Sequence, residues 1–454
     1  MRNLVLFAWL FGFTQVLAQN LEPSQVNDDL TYLADNIKTY NPALSYYHPE
    51  FDHRSNQLIS QSAGEERSTL HFFSLVSQLC AMANEGHFVV HDWEDELHQG
   101  FGNNTYAYLP IQVKIRAQRL YVYGDFTDEQ PFERGDEIIA INGVKTEQIL
   151  RELVKHVPSD GDILTYAHRK IEDRFSTLYY LYLEQPQTFE ITFYDKKGVE
   201  QIVSCAALVR EALVTNLRKY YPSEPGNTAT NEQGFYDLDY HAQYAYLKLP
   251  SFDFRRVNKY RVKSKKMYKT IFEELQNKEI KHLVIDLRNN TGGRNEFADD
   301  MIPFISKSSI NDPFVKKTIS WDQQEKTYKK PNPSKLAFKG EIYVLINGKT
   351  YSAGNTLARY LKEYGNANMI GEETGTRYEG FAAGSTQEII LPHSNLKIGI
   401  PRYLISFPAS AKQKTSNRGL LPDHEIENAL EVPVAGPDAY LRKAIELITE
   451  SDFN

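Results

Sequence analysis

Ser352 stands where the texture of the chain changes. The apolar run "IYVLI" (Ile342–Ile346) reads as a strand and "AGNTLARYLKEYG" (Ala353–Gly365) reads as a helix, so the serine of "NGKTYSAG" falls at a strand-to-helix turn. Such a turn exposes a hydroxyl beside helix N–H groups that have no intrahelical acceptor, which is how a serine nucleophile meets an acyl group. A second loop, "DLRNNTGG" (Asp286–Gly293), follows the strand-like "HLVI". Gly292 and Gly293 allow a backbone N–H to approach a substrate with no Cβ in the way. With the N–H of Ala353 they could form an oxyanion hole. Each feature also has a plain structural reading: Ser352 as a helix N-cap, and "NNTGG" as a turn before a helix.

Other chemistries have weaker support. His87 and His91 lie four residues apart and His98 follows, but no His-Glu-x-x-His is present, so neither a metal nor another cofactor is expected. Cys80 and Cys205 are too few for a zinc site and read as buried free thiols, with a single disulfide as the other option. A net charge of -8 argues against a general nucleic-acid binder, and the basic run "RVKSKKMYK" reads as a solvated helix face.

The elements that must position these residues fall into three blocks. "SQVNDDLTYLADNIKTY", with Ser24 as cap, and "STLHFFSLVSQLCAMANEG", with Ser68 as cap, space their apolar residues like helices. They predict a helical N-terminal domain over 21–100. "YLPIQVKIRAQRLYVYGDF", "GDEIIAINGV" and "QTFEITFYDKKGVEQIVSC" alternate like paired strands and give a β-rich domain over 105–206. The polar "NTATNEQGF" then links to alternating strand and helix patterns over 236–450, the signature of crossover units in a largely parallel α/β sheet. Ahead of all three, Arg2, the apolar Leu4–Phe13 and Ala18 have the layout of a secretory signal peptide over 1–18, cut before Gln19. The protein is therefore expected to be exported, periplasmic or extracellular. The apolar stretch is shorter than the ~20 residues of a membrane span.

"HLVIDLRNNTGG", "YVLINGKTYSAGNTLARYLKEYG" and "MIGEETGT", with "YAYLKLPSFD" before them and "NRGLLPDHEI" after, resemble the tail-specific, or C-terminal processing, peptidases of family S41. "GDEIIAINGV" resembles that family's PDZ-like domain, and "ANEGHFVV" its Asp-Gly-His segment. The resemblance implies an α/β protease core of the crotonase-like (ClpP/crotonase) type, a PDZ-like domain at 105–206 that takes an extended chain end by strand addition, and serine endopeptidase activity on protein or peptide substrates. It implies Ser352 as nucleophile, with Ala353, Gly292 and Gly293 around the oxyanion. One branch of the family pairs this serine with a lysine; here Arg377 holds that position, and arginine cannot act as a general base. The tricorn-like branch uses a histidine, which His87 matches, with Glu85 in place of the aspartate. Such a base implies activity rising near pH ~6–7. Glu372 and Glu373 are the candidate orienting acids; Ser416 occupies the place where that branch often has one, and Asp423 reads as a turn residue. The lost lysine and absent late acid also support an alternative, a catalytically inactive peptide-binding relative.

Overall fold

The computed structural model describes residues 20–64, 66–90, 104, 106–222, 234–307, 310–427 and 436–452. The expected signal peptide, His91 and His98 lie outside the described residues. The first helices are α1 (Pro23–Tyr40), α2 (Phe51–Ser62) and α3 (Thr69–Met82). Ser68 caps α3, accepting from His71 N–H. The cap of α1 is not Ser24 but Glu22, in a reciprocal box with Gln25, because Pro23 suits the first helical position and moves the start forward.

These helices do not stand apart. Strand β1 (Val89–Val90) leaves α3 and joins a sheet of the C-terminal region, and Val26, Leu30, Phe72 and Val76 share one core with Ile389, Ile398 and Ile400. A block expected to run to residue 100 is thus fused to the C-terminal region by residue 89.

The β-rich region contains β2 (Ile111–Arg116), β3 (Arg119–Asp125), β4 (Glu137–Ile141), helices α4 (Thr146–Val154) and α5 (Leu164–Tyr182), then β5 (Thr188–Tyr194) and β6 (Glu200–Ala206). The sheet runs β2-β3-β4-β5-β6 and buries Val113, Ile115, Ile138 and Ile191 against Ile149, Ile171 and Phe175. Its contacts continue past residue 206: Asn216 Nδ2 donates to Phe126 O, and Asp125 N–H donates to the Tyr221 hydroxyl. As the edge strand, β2 would offer unpaired backbone groups, but α5 has taken several of them. Ser176 Oγ lies 2.7 Å from Leu109 O and 3.2 Å from Ile111 O, Arg169 Nη2 donates to Ile115 O, and Ile115 N–H donates to Glu172 Oε1.

The C-terminal region is built on the strands β7 (Asp237–Tyr240), β8 (Ala245–Lys248) and β9 (His282–Asp286), with helix α6 (Ser264–Asn277) between the last two. It continues through β10 (Lys316–Ser320), β11 (Glu325–Tyr328), β12 (Glu341–Ile346), α7 (Ala353–Gly365), β13 (Asn368–Gly371), β14 (Gly380–Ile390), β15 (Lys397–Ser406), β16 (His424–Glu425) and α8 (Ala439–Asp452). The strand order β7-β8-β9-β12-β13-β16 is parallel from β8 onward, as crossover connections require. A second, antiparallel sheet runs β1-β15-β10-β11, with β14 also on β15. Before β9 the chain turns at Arg261, whose φ of 52° caps a first short helix, Phe254–Tyr260, before α6 begins. The main core packs Leu283, Ile285, Val344 and Ile346 against Ile271, Leu357 and Leu361, and α8 covers the opposite sheet face with Tyr440, Ala444 and Ile448. Cys80 and Cys205 are buried free thiols, and burial pushes each thiol up to about 12.

Candidate active site

Strands β9 and β12 are parallel neighbours in register, Asp286 beside Leu345, so the loops leaving their C-terminal ends meet. This is where parallel sheets collect their sites. The two loops are bound to each other: Tyr351 N–H donates to Asn290 O at 2.9 Å and Thr350 Oγ1 donates to Leu287 O at 2.9 Å. They touch closely enough that a Cβ on Gly292 would come within 2.7 Å of Ala353 N and 2.8 Å of Ser352 Cβ. Glycine at 292 is therefore a packing requirement, reinforced by its φ of +90°.

Ser352 begins α7 but does not cap it. Its side chain makes no capping hydrogen bond, and its backbone sits at φ 53°, ψ -123°, a region sparsely used by residues with a Cβ. Such a conformation costs ~1–3 kcal/mol and persists only where its surroundings fix it. Here Ser352 N–H donates to Thr376 Oγ1 at 2.8 Å, while Thr356 N–H binds Ser352 O and Gly354 N–H binds Tyr351 O, both at 2.9 Å. The strained turn aims Oγ away from the helix and toward His87, whose Nε2 lies 3.1 Å away.

His87 arrives from the segment between α3 and β1. Its ring is half-buried, stacked on Phe381 with centroids 5.6 Å apart and on Tyr351 at 4.6 Å. Burial pulls its pKa down to about 4, with Glu85 opposing the shift weakly. The other ring nitrogen, Nδ1, lies 2.8 Å from the Tyr351 hydroxyl. Tyr351 in turn stacks on Tyr166 of α5, at 4.4 Å and 11°.

A buried ionic knot fixes the loop that carries His87. Arg377 and Glu85 are both fully buried and paired at 2.7 Å. Arg377 Nη2 also donates to Asn84 O and lies 2.9 Å from His48 Nε2, and its guanidinium lies over Tyr47. Glu85 Oε2 accepts from Ala382 N–H at 2.7 Å. Burial alone would raise the Glu85 carboxyl, but Arg377 and the hydrogen bonds from His48 and Ala382 hold it below its ordinary range. Asp160 closes the knot, accepting from Gly86 N–H at 2.6 Å and Arg377 N–H at 3.2 Å. Burial, then the Glu85 charge, push its carboxyl up to about 7 against the pull of Arg377. Arg377 is therefore a structural cation that staples the histidine loop to the loop after β13.

Two sequence expectations change. Glu373 turns away from His87, to Arg418 at 2.6 Å and Gly419 N–H at 2.8 Å, and Glu372 faces Arg169 at 3.6 Å and Gly348 N–H at 3.5 Å. The strand they follow, β13, puts them on the far side of the serine turn, so neither orients the imidazole. Gly292 N–H is also already spent on Asn290 Oδ1 at 2.9 Å. Gly293 differs. Phe252 N–H binds Gly292 O and Arg294 N–H binds Phe252 O, so by backbone alternation Gly293 N–H faces away from Phe252. Among the described residues, neither Gly293 N–H nor Ala353 N–H, at the positive end of α7, donates a hydrogen bond within the protein. These two are the donors available to an oxyanion.

Sequence reasoning missed Tyr351, Tyr166, Asp160, Thr376 and Phe381. Tyr351 was in plain view beside the serine, but its type carries no catalytic signature. Thr376 closes the "MIGEETGT" segment but as a residue type drew no role, and Tyr166, Asp160 and Phe381 come from segments with no motif, so only proximity marks them. Among the described residues no group of His, Cys, Asp and Glu could hold a metal ion.

The family model for peptidase family S41 matches residues 243–426, the stretch from β8 to β16. A search of curated proteins gave no match. Among solved structures, mature CPAF is similar at 12% identity, with a TM-score of 0.62 over 94% of this chain and 96% of that one. The photosystem II D1 C-terminal processing protease aligns at 14% identity and a TM-score of 0.44, over 88% and 93% of the two chains.

Proposed function

We propose that the chain, whose residues 243–426 match the model for peptidase family S41, is an exported serine endopeptidase in which Ser352 attacks the scissile carbonyl and His87 is the base. The observation that carries the reading is the 3.1 Å contact from Ser352 Oγ to His87 Nε2, across 265 residues of sequence. Ser352 Oγ–H donates its proton to the neutral Nε2 as the Oγ–carbon bond forms. The N–H groups of Ala353 and Gly293 hold the negative oxygen, each such donor being worth ~3–4 kcal/mol in the transition state. The imidazolium then protonates the leaving amine, and water, deprotonated by the same ring, frees the acyl-serine.

In the finer reading the core is crotonase-like and the β2–β6 sheet is the PDZ-like unit. An extended chain end adding to the edge of β2 would have to displace Arg169, Glu172 and Ser176, so strand addition there is opposed by α5. Export rests on the N-terminal sequence; mass spectrometry of the secreted form is expected to find a mature N-terminus at Gln19, and an intact Met1 would refute it.

A fluorophosphonate probe on the mature protein tests the mechanism. Labelling at Ser352 that is lost in Ser352→Ala, and is slowed ~10²–10⁴-fold in His87→Ala, is expected. The second reading, an inactive peptide-binding relative, is favoured by the Tyr351 hydroxyl at His87 Nδ1, where among the described residues no carboxylate lies. A wild type that is never labelled would establish it and overturn the first.

A further inference from the structure

Nδ1 of the base is where a serine peptidase ordinarily sets a carboxylate, which holds the imidazole tautomer and stabilises the imidazolium. Among the described residues, every carboxylate near His87 is engaged elsewhere. Glu85 is tied to Arg377 and Ala382 N–H, Asp160 to Gly86 N–H and Arg377 N–H, and Glu373 to Arg418. The group at Nδ1 is a phenol, the Tyr351 hydroxyl at 2.8 Å. It cannot drift. Tyr351 is buried, and its ring is held between His87 and Tyr166. Tyr166 is anchored because α5 is pinned on both sides. Thr165 Oγ1 donates to Glu373 O at 3.0 Å and Lys349 pairs with Asp173 at 2.7 Å, while Arg169, Glu172 and Ser176 hold β2.

We propose that Tyr351, seated by Tyr166 of α5, is the positioning residue for His87, and that a neutral phenol does at Nδ1 what an acid does in other serine peptidases. The inference rests on the Ser352–His87 reading above. Nδ1–H donates to Tyr351 Oη, the acceptor that the stacked Tyr166 ring holds in place. Nε2 is thereby left bare toward Ser352 Oγ. During acylation one proton passes from Oγ to Nε2; the Nδ1 proton stays in place and the phenol remains neutral throughout. The arrangement also gives α5 its second purpose. The helix that closes the β2 edge is the strut that aligns the base, so the β-rich unit is built into the catalytic centre.

Among the described residues, the groups facing His87 are Ser352, Tyr351 and Phe381, with the Glu85–Arg377–Asp160 knot behind its loop. Of these, Tyr351 can be altered by one atom. Tyr351→Phe keeps the ring and both stacks. In full-length mature protein it should slow fluorophosphonate labelling and peptide turnover at least ~10-fold, with KM unchanged, short of the ~10²–10⁴-fold lost with the base itself. Nitrogen-15 NMR of histidine-labelled protein reads the tautomer directly, with His87→Ala assigning the signal. Wild type at neutral pH should show a single Nδ1–H form, and Tyr351→Phe a mixture. Tyr166→Leu should give a smaller loss of rate in the same sense. Wild type holding its proton on Nε2 overturns the proposal without any variant. So does Tyr351→Phe with wild-type rate and tautomer, in a wild type that labels normally. A wild type that never labels instead removes the Ser352–His87 reading, and this proposal with it.

Discussion

Lowering the pH separates a histidine base in open solvent from the one packed here. An ordinary imidazole titrates near ~6.5, and the sequence alone led to an activity limb at pH ~6–7. Packing of His87 between Tyr351 and Phe381 moves that value to about 4. Only the neutral ring accepts the Ser352 proton, so activity rises with pH through the folded-state value. At about pH 5.5 an ordinary histidine is roughly one-tenth neutral, whereas one titrating at about 4 is almost wholly neutral, an expected difference of about tenfold. The assay is the second-order rate of fluorophosphonate labelling at Ser352, followed from neutral pH downward and corrected for the probe's own hydrolysis. The same shift bears on stability. The folded value of His87 lies below the unfolded one, so its contribution is complete above about pH 6.5 and is lost as pH falls toward about 4. That loss amounts to at most ~3 kcal/mol, lessened by solvent at the exposed ring edge. His156 and His168, also lowered to about 4 by burial, act in the same direction. Circular dichroism must therefore show a folded protein at each pH used. A limb centred at 6–7 in folded protein would refute the argument that packing sets the basicity of His87.

Arg377→Gln should leave Glu85 as an unpaired buried charge and destabilise the fold by ~3–5 kcal/mol, visible as a lowered denaturation midpoint. Residual labelling of Ser352 in the fraction that folds is expected, and its complete absence there would give Arg377 a direct catalytic part. Gly292→Ala should abolish labelling, since its Cβ would meet Ala353 N at 2.7 Å at a φ that alanine resists; a variant labelling at the wild-type rate would show that the two loops are not closely packed.

The local patterns could be read without coordinates because they follow from short-range physics. Apolar residues at 3.6 or 2 spacing set the helices and strands, and a polar loop between an apolar strand and an amphipathic helix placed Ser352 at a turn. Gly292 and Gly293 declared a backbone conformation, and their type alone kept them in the site. The guanidinium of Arg377 excluded proton abstraction there by its chemistry. Boundaries were less legible. Arg261 adopts a left-handed conformation that breaks a pattern continuous in sequence, and the helical block fuses with β14 and β15 through burial between segments distant in sequence.

What the tertiary structure decided was which side chains meet. His87 and Ser352 are brought together by β1 pairing with β15 and by the Glu85–Arg377 knot, contacts between segments hundreds of residues apart. Gly292 and Gly293 looked equivalent in sequence, but one N–H is taken by Asn290 and the other faces outward, a difference of peptide orientation that residue type does not encode. The orienting group was sought among carboxylates because their charge advertises the role. The fold instead turns Glu372 and Glu373 away and presents the phenol of Tyr351, adjacent to the nucleophile in sequence. Side-chain direction at a strained turn depends on φ, ψ and the packing around it, and for Tyr351 that packing is supplied by Tyr166 from another region of the chain.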